Sequence, residues 1–476
     1  MRALILLHRW LGVAFCLLFA MWFASGIVMH FVPFPALTET ERAAGLAVLD
    51  VRGLTHGPSD ALAASRIKDA TRVRLLQRPD GLVYLASGPS GTAALHAANL
   101  ADAAVREPAL ALAIATNYAQ RRGFDFAGAA VAGLTPYDQW TVAGSFDCYR
   151  PLYRVALNDG PGTELYVSSM TGEVVLTTTR WQRGWNYFGS VAHWIYPTML
   201  RSHPLVWSSL LWWLSFLALV GATAGAVVGT LKMGAEGPRL ASPYSGVQAW
   251  HHWLGVCCMV FVLTWIFSGW LSMDDGRLFS TGASTDAEMA SIAGAPDWNA
   301  LPQDEIRHIS SRASEVEWFA FGGRIYRRES DGPGEQRLLR AGSDQVETEF
   351  LQPAEVDAAV RRLARGCDSA VVIGTGDHYA AAAIAPAAPV FRVVCGDVWF
   401  HIDGANGALL EKLDSSRRAY RWLYGALHTL NFPVLTARPI LRAFIIVLLC
   451  GCGFAFSLTG VVIAWRRLRA CFGSMD

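Results

Sequence analysis

The stretch His8-Arg9-Trp10-Leu11-Gly12-Val13 recurs as His251-His252-Trp253-Leu254-Gly255-Val256, at an offset of 251 − 8 = 243 residues. The same offset carries Ser25-Gly26 onto Ser268-Gly269. Both copies open a long apolar segment, which is the pattern of a membrane-spanning helix with a histidine at its start. The chain is therefore interpreted as one unit used twice.

Four stretches carry no formal charge over the ~20 residues that a helix needs to cross a bilayer. They are Leu11 to Phe31, Leu205 to Leu231, Val247 to Met273 and Ala443 to Trp465. Charged residues are 17% of the chain, below the roughly 25% of soluble proteins, so part of the surface is expected to face lipid. No small-x-small cleavage site follows the first stretch, so it is predicted to be a retained span rather than a signal peptide.

Composition and motifs argue against several classes of function. A net charge of +1 is unlike that of a protein which binds nucleic acid through a basic face. The polar segments contain no nucleophile elbow, phosphate-binding loop or dinucleotide fingerprint. The chemistry is therefore expected in the spans.

Basic residues set the predicted orientation. Spans two and three are joined by a short basic link, Lys232 to Arg239, and the chain ends with Arg466, Arg467 and Arg469. Short basic loops stay on the cytoplasmic side, so both termini are predicted to be cytoplasmic. Arginines near the opposite ends of spans two and four do not change this prediction, because long loops are largely exempt from the rule.

The polar segments repeat as well as the spans. In each one, strands are followed by a glycine-containing turn and preceded by a helix-like stretch, as expected of small α+β domains. The strand–turn units run from Leu152-Tyr153-Arg154-Val155 to Thr171-Gly172-Glu173-Val174 and from Val390-Phe391-Arg392-Val393 to Asn406-Gly407-Ala408-Leu409, and the helix-like stretches are Ser59 to Lys68 and Pro353 to Arg365.

The predicted fold is a four-helix membrane bundle, built as a tandem pseudo-symmetric repeat, with two periplasmic α+β domains. Because both repeats start on the same side, they are expected to be related by an axis along the membrane normal. The predicted order is span 1 (1–31), domain 1 (32–183), an interfacial helix with span 2 (184–233), a cytoplasmic loop (234–245), span 3 (246–273), domain 2 (274–418), an interfacial helix with span 4 (419–467) and a cytoplasmic tail (468–476).

Four histidines fall at paired depths. His8 and His251 lie at the cytoplasmic ends of spans one and three, and the repeat maps one onto the other. His193 and His428 lie in corresponding stretches before spans two and four. Ionisable groups at the edge of a bilayer usually face the bundle interior, so each pair is expected to meet.

Glycines accompany these histidines. Gly12 and Gly26 fall within about 40° of the helix face of His8, and span three repeats this pattern. A histidine with glycines above it favours a slot for a flat porphyrin, with the imidazole as an axial ligand. A non-haem metal site and close helix packing through small residues stay open as alternatives.

Three further residues belong near these sites. His30 lies 30 − 8 = 22 residues after His8, which is about 40° from the same helix face, and its repeat position is Met273. Two roles stay open for His30, replacing one outer histidine or lining that site, and Met273 is itself a candidate axial ligand. His252 falls on another face and is interpreted as an interfacial residue.

The nine cysteines show no metal-ligand spacing. A disulfide between Cys367 and Cys395 would leave Cys148 as the odd cysteine of the polar segments. Unpaired thiols are therefore the preferred interpretation.

Several motifs taken together resemble the PepSY-associated transmembrane family over essentially the whole chain. They are the paired His-x-Trp-Leu-Gly openings, the Leu427-His428-Thr429 stretch before a span, and the Tyr-Val-x-x-x-Thr-Gly-Glu-Val strand–turn. The resemblance implies a bacterial inner-membrane protein with periplasmic PepSY-like domains. Similar members include ferric-siderophore reductases with b-type haem in the bundle, which implies haem ligands at His8, His251, His193 and His428.

The resulting hypothesis is a reductase with two b haems that passes electrons from a quinol or a cytoplasmic reductase to a periplasmic ferric-siderophore or other ferric chelate. Arg201, Arg438 and Arg442 are placed to contact haem propionates, an anionic chelate or lipid phosphates. Two alternatives come from other classes: a non-redox membrane protein whose PepSY-like domains bind and regulate a partner, and a divalent-metal permease.

Overall fold

The computed structural model describes residues 1–233, 242–274, 276–302, 304–332, 335–342, 346–374, 376–379 and 388–472. They form two compact units, each assembled from separate parts of the chain. The first unit contains Met1–Phe34, Gln182–Thr281 and Ser416–Asp476, and the second contains Pro35–Trp181 and Gly282–Ser415. Most of the predicted basic link and cytoplasmic loop, residues 234–241, and the last four residues of the tail lie outside the described residues.

The helices are numbered in chain order. They are α1 (Arg2–Phe31), α2 (Glu39–Ala44), α3 (Pro58–Ser65), α4 (Pro108–Arg122), α5 (Arg180–Asn186), α6 (Thr198–Arg201), α7 (Pro204–Lys232), α8 (Gly246–Leu271), α9 (Asp286–Ala293), α10 (Pro353–Val360), α11 (Ser415–Tyr420), α12 (Leu427–Thr429), α13 (Pro433–Thr436) and α14 (Pro439–Phe472). Single 3₁₀ turns cover Gly144–Tyr149, Trp298–Ala300 and Glu305–His308.

The described strands all belong to the second unit. They are β1 (Arg72–Arg78), β2 (Gly81–Gly88), β3 (Gly91–His96), β4 (Ala130–Thr135), β5 (Leu152–Ala156), β6 (Glu164–Ser168), β7 (Val174–Thr178), β8 (Glu315–Phe321), β9 (Arg324–Gly332), β10 (Glu335–Arg340), β11 (Val346–Thr348), β12 (Val371–Ile373), β13 (Val390–Cys395), β14 (Val398–Asp403) and β15 (Leu409–Leu413).

Four helices of the first unit, α1, α7, α8 and α14, are long and apolar enough to cross a membrane, as expected of a multi-pass membrane protein. Their shared core includes Phe23 and Val262. α1 begins at Arg2, within the predicted span 1, and α14 ends at Phe472, five residues beyond the predicted end of span 4.

Seven strands of the second unit form one antiparallel sheet in the order β11-β10-β9-β8-β1-β2-β3. Its neighbours β1 and β8 come from the two polar segments, which were predicted as separate domains and here share a sheet. Pairing the segments removes two exposed strand edges. The register places Arg74 opposite Glu317, and 317 − 74 = 243 is the repeat offset, so equivalent strands make this junction.

Each polar segment also contains a four-stranded sheet, β4-β5-β6-β7 in one and β12-β13-β14-β15 in the other. The predicted strand–turn units form β5 and β6 in one and β13 and β14 in the other, and the turn that was predicted to end each unit leads into a further strand, β7 or β15. The predicted helix-like stretches contain most of α3 and all of α10. Apolar residues of α4 pack on the first small sheet and those of α10 on the second. The β-rich part of the chain is thus α+β, as predicted.

Charged side chains are buried where β1 and β8 pair. Glu315 and Glu317 are each 2% exposed. Guanidinium nitrogens of Arg42 and Arg74 lie 2.5 and 3.1 Å from Glu315, and one of Arg328 lies 2.8 Å from Glu317. Burial opposes ionisation of Glu315, but the attraction of Arg42, Arg74 and Arg328 outweighs burial and lowers its pKa. The same balance of burial against nearby arginines lowers the pKa of Glu317.

The preference for unpaired thiols is wrong for one pair of cysteines. Cys367 and Cys395 form a disulfide. The backbone of Cys367 pairs with the end of β13 at Cys395, and this proximity depends on tertiary structure rather than on spacing. Cys148 is a free, exposed thiol.

Candidate functional site

His8 of α1 and His251 of α8 face each other within the helix bundle. Their ring centroids are 6.3 Å apart and their planes are tilted by 32°. Nδ1 of His8 lies 3.1 Å from the carbonyl oxygen of Gly221, and Nδ1 of His251 lies 2.9 Å from Oγ1 of Thr459. The two histidines and their two hydrogen-bond partners therefore come from four different long helices.

The partners of Nδ1 determine the tautomer of both inner imidazoles. A carbonyl oxygen only accepts, so Nδ1 of His8 carries the proton and donates it to Gly221. The hydroxyl of Thr459 already donates to the carbonyl of Phe456 at 2.5 Å, so it accepts from Nδ1 of His251. The other nitrogen of a neutral imidazole then keeps its lone pair, which leaves Nε2 of each ring able to bind a metal.

His193 and His428 form a second, outer pair. Their ring centroids are 6.1 Å apart and their planes are tilted by 64°. Nδ1 of His193 lies 2.9 Å from Oγ of Ser25, and Nδ1 of His428 lies 3.1 Å from Oγ of Ser268. Each serine hydroxyl donates to a carbonyl one turn earlier in its own helix, so it accepts from the histidine. Nε2 keeps its lone pair here as well.

The spacing within both pairs fits two imidazoles on opposite sides of one metal ion. A metal–imidazole bond is about 2.0 Å long and the ring centroid lies about 1.1 Å behind the nitrogen, so the centroids of such a pair are about 6.2 Å apart. The two pairs have centroid distances of 6.3 and 6.1 Å. Among the described residues, no three His, Cys, Asp or Glu side chains converge in a metal-binding group. Each pair thus offers two protein ligands.

Glycines lie against the edge of all four imidazoles. A Cβ at Gly225 would lie only 2.5 Å from Cε1 of His8. Beside the other three rings, a Cβ at Gly26, Gly269 or Gly460 would lie 3.8, 3.3 or 3.5 Å from the nearest imidazole atom. Two of these glycines, at positions 26 and 269, belong to the predicted glycine stripe. A side chain at Gly225 would displace the ring of His8.

The inner pair lines a cavity of about 300 Å³ between the four long helices. Gly12 and Gly255 of the predicted stripe also line it, and a Cβ at Gly12 would meet no atom within 4 Å. The lining is largely aliphatic and aromatic, with Arg9 and Arg467 among its charged members. A volume of this order is typical of small-molecule and cofactor sites.

The backbone around the outer histidines has the same two irregularities in both repeats. A π-helical turn, Tyr187–Val191 or Arg421–Ala426, precedes each histidine. Two residues after each histidine the backbone enters the left-handed region, at Ile195 (φ 46°) and Leu430 (φ 50°). The left-handed conformation costs a non-glycine residue roughly 1–2 kcal/mol. Both irregularities are concentrated at functional sites in proteins.

Two of the predicted residues lie apart from the pairs. The ring of His30 contacts Phe31, with centroids 5.0 Å apart, and its described contacts do not join it to either pair. Met273 lies in the turn after α8, where its carbonyl accepts a hydrogen bond from Arg277 at 2.7 Å. Neither residue occupies a position between two imidazoles.

His252 is buried and uses both of its ring nitrogens. Nδ1 lies 2.8 Å from Oγ of Ser242, and Nε2 lies 2.8 Å from the carbonyl oxygen of Gly229. The carbonyl requires a proton on Nε2, and Nδ1 then accepts from the serine hydroxyl. This hydrogen bonding joins the start of α8 to the end of α7 and leaves neither nitrogen for a metal.

The three predicted arginines have different environments. Arg442 donates through Nε and Nη2 to the carbonyl of Thr429, at 3.2 and 2.7 Å. The guanidinium of Arg201 lies over the ring of Trp207, 4.7 Å from its centroid. Arg438 is exposed. Two of the three therefore contact protein groups next to the outer pair.

Sequence reasoning did not identify the hydrogen-bond partners of the histidines. Ser25 and Ser268 were visible as a repeated pair, and a hydroxyl inside an apolar helix is a signal for a hydrogen bond to a neighbouring helix. Thr459 and the carbonyl of Gly221 gave no such signal, because they lie on other spans and no spacing rule links them to a histidine.

No protein-family model matches this chain, and no curated protein matches it. The interpretation of the site therefore depends on its own geometry and chemistry.

Proposed function

We propose that the chain is a haem b reductase of the bacterial inner membrane that passes electrons to a ferric chelate in the periplasm. His8 and His251 would hold an inner haem, and His193 and His428 would hold an outer one. The observation that supports this most strongly is the spacing of the two imidazole pairs, 6.3 and 6.1 Å between centroids, which suits one iron between each pair.

The protein groups around each pair suit a flat tetrapyrrole. Two imidazoles would hold the iron of a porphyrin, which brings four nitrogens of its own, and a bound haem would supply one-electron chemistry. The glycines beside the four rings and the cavity beside the inner pair provide space for a planar group. The Nδ1 partners hold each imidazole in the ligating tautomer and restrict its rotation.

The depths of the two pairs suit transfer across a membrane. Ser25, which holds His193, lies 25 − 8 = 17 residues after His8 on α1. Ser268, which holds His428, lies 268 − 251 = 17 residues after His251 on α8. Seventeen helical residues rise about 25 Å, and the hydrocarbon layer is about 30 Å thick. The two sites would then lie near opposite faces of the bilayer.

Two features support the proposed orientation. Arg466, Arg467 and Arg469 follow the last span, which favours a cytoplasmic position for the C-terminus and the inner pair. The disulfide between Cys367 and Cys395 favours an oxidising compartment for the second unit. In this proposal that unit is periplasmic and PepSY-like, and the two repeats are related by an axis along the membrane normal.

A ferric chelate is a substrate for which one electron is sufficient. Siderophore oxygens are hard donors that hold Fe(III) far more tightly than Fe(II). Reduction of Fe(III) to Fe(II) therefore releases the metal, and the electron comes from a quinol or a cytoplasmic reductase, which is oxidised. Arg438 is exposed beyond the outer pair and is placed to attract an anionic chelate.

The purified protein provides the test. We expect a Soret band, sharp α-bands after reduction, two haems per chain, and reduction of an added ferric chelate. Alanine at His8 or His251 should remove one haem, and alanine at His193 or His428 the other. The matched control is His203→Ala, because His203 is an exposed histidine before α7. A colourless wild-type protein would contradict the proposal and favour the regulatory protein or the metal permease.

A further inference from the structure

The carbonyl groups that follow the two outer histidines are each held by the next membrane-spanning helix. Nε1 of Trp207, on α7, donates to the carbonyls of Trp194 and Ile195, both at 3.1 Å. Nε and Nη2 of Arg442, on α14, donate to the carbonyl of Thr429, at 3.2 and 2.7 Å. Trp194 and Thr429 come directly after His193 and His428 in the chain.

The two donors occupy equivalent positions in the two repeats. Their separation, 442 − 207 = 235, equals that of the outer histidines, 428 − 193 = 235. Trp207 lies three residues after Pro204, where α7 begins, and Arg442 lies three residues after the start of α14. The same carbonyl position is therefore held twice, by an indole in one repeat and a guanidinium in the other.

These hydrogen bonds act on a strained end of the backbone. The last carbonyls of a helix have no partner within it, and the next residues, Ile195 and Leu430, are left-handed. A donor from a neighbouring helix satisfies the carbonyl and keeps the backbone in this conformation. The serine hydroxyls restrict rotation of each imidazole, whereas Trp207 and Arg442 fix the backbone from which the imidazole projects.

Arg201 extends the arrangement in the first repeat. Its guanidinium lies over the indole of Trp207, 4.7 Å from the ring centroid, and over the ring of Tyr196 at 5.3 Å. This cation–π contact holds the indole in the orientation in which Nε1 reaches the carbonyls. An arginine thus lies beside the outer site in both repeats.

We propose that Trp207 and Arg442 are positioning residues of the outer site, which hold the two outer imidazoles at the separation that one iron needs. Arg442 also places a positive charge beside that site, which favours the reduced state of the iron. This inference rests on the proposed haem function. It gives Arg442 a role toward the protein backbone, in addition to the propionate, chelate or lipid phosphate that the sequence suggested.

The test uses the full-length, haem-loaded protein and compares the two haems within each sample. Trp207→Phe keeps the ring under Arg201 but removes the N–H donor, and Arg442→Leu removes both donor and charge. We expect either change to weaken retention of the outer haem by about 10-fold, as for the loss of a group that positions a metal ligand, and Arg442→Leu to lower its midpoint potential. The inner haem should be unaltered, and Arg442→Lys should stay close to wild type in potential.

The control is Trp213→Phe, because Trp213 lies on the same helix but is 56% exposed. It should leave both haems unaltered. Unchanged retention and potential of the outer haem in both Trp207→Phe and Arg442→Leu would overturn the inference. If Arg442→Leu loses both haems because it fails to fold, retention of the outer haem in Trp207→Phe alone tests the inference. A wild-type protein without haem would instead refute the proposed function itself.

Discussion

The hydroxyl of Ser25 accepts a hydrogen bond from Nδ1 of His193 at 2.9 Å, so a membrane span holds a histidine that lies 168 residues further along the chain. Ser268 holds His428 in the same way, at 3.1 Å. Because the proton is on Nδ1 in both rings, Nε2 of each keeps its lone pair and is able to bind a metal. A hydrogen bond from Nδ1 orients the imidazole and makes Nε2 a more basic donor to a metal.

Replacement of Ser25 by alanine tests this contact. The change leaves Nδ1 of His193 without its acceptor, so we expect the outer haem to bind about 10- to 100-fold more weakly, with no change at the inner haem. Haem transfer to an apo-protein acceptor measures retention at each site. Ser215→Ala is the control, since Ser215 is also buried in a span but its hydroxyl donates to carbonyls of its own helix. Equal retention in the two variants would show that Ser25 has no role in ligation.

Gly225 provides a test of the inner site. A Cβ there would lie 2.5 Å from Cε1 of His8, so Gly225→Ala should push the imidazole away and remove the inner haem while the outer haem remains. Gly451→Ala is the matched control, because a Cβ at that helical position meets no atom within 4 Å. Haem counts and difference spectra report the result. Two haems in Gly225→Ala would mean that His8 is not held against α7.

The buried carboxylates between β1 and β8 give the second unit a dependence on pH. Glu315 and Glu317 have pKa values below the ordinary value of 4.5. A carboxylate whose pKa is lower in the folded than in the unfolded protein stabilises the fold at a pH above its unfolded pKa. This stabilisation is lost as the pH falls towards and through its folded pKa. We therefore expect protection of β1 and β8 amides from hydrogen exchange, corrected for intrinsic rates, to decrease between about pH 5 and about pH 3.

Glu317→Gln should make this decrease shallower, because one of the titrating groups is gone. Glu335→Gln, at an exposed position on β10, should keep the wild-type slope. Constant protection of the wild-type sheet over this pH range would show that the ionic cluster does not stabilise the junction of the two repeats.

Cysteine labelling tests the proposed orientation. Cys148 and Cys471 are both exposed thiols, and they lie in the second unit and at the end of α14. A membrane-impermeant maleimide added to intact spheroplasts should label Cys148 at once, and Cys367 and Cys395 only after reduction of their disulfide. Cys471 should react only after the membrane is opened. Labelling of Cys471 in intact spheroplasts would reverse the orientation.

The sequence was sufficient to place the membrane helices and to pair the histidines. Charge-free stretches mark spans directly, and a repeat offset brings His8 and His251 to the same depth because equivalent helices begin at the same level. The sequence was not sufficient to predict that β1 pairs with β8, since the partner of a strand depends on which sheet edges the rest of the fold leaves open. The disulfide between Cys367 and Cys395 could not be predicted for the same reason, because strand pairing brings the two cysteines together and their sequence spacing does not indicate it.

The contacts that hold the outer histidines were also beyond sequence reasoning. Trp207 and Arg442 occupy equivalent positions in the two repeats, but one is an indole and the other a guanidinium, so no sequence motif connects them. Their common role is visible only where the backbone carbonyls after His193 and His428 are located. Arg442 was predicted to meet a propionate, a chelate or a lipid phosphate because a charge at the outer end of a span suggests an anion. The structure shows that its Nε and Nη2 donate to a carbonyl at a helix end.

The most direct test of the central claim, that each pair of imidazoles binds one haem iron, is electron paramagnetic resonance of the oxidised protein. We expect two low-spin bis-histidine signals of equal intensity. The outer pair should give the more anisotropic one, because its ring planes are tilted by 64° and those of the inner pair by 32°. His251→Ala should abolish the less anisotropic signal and His428→Ala the other. A wild-type spectrum without low-spin haem, or two variants that retain both signals, would contradict the claim.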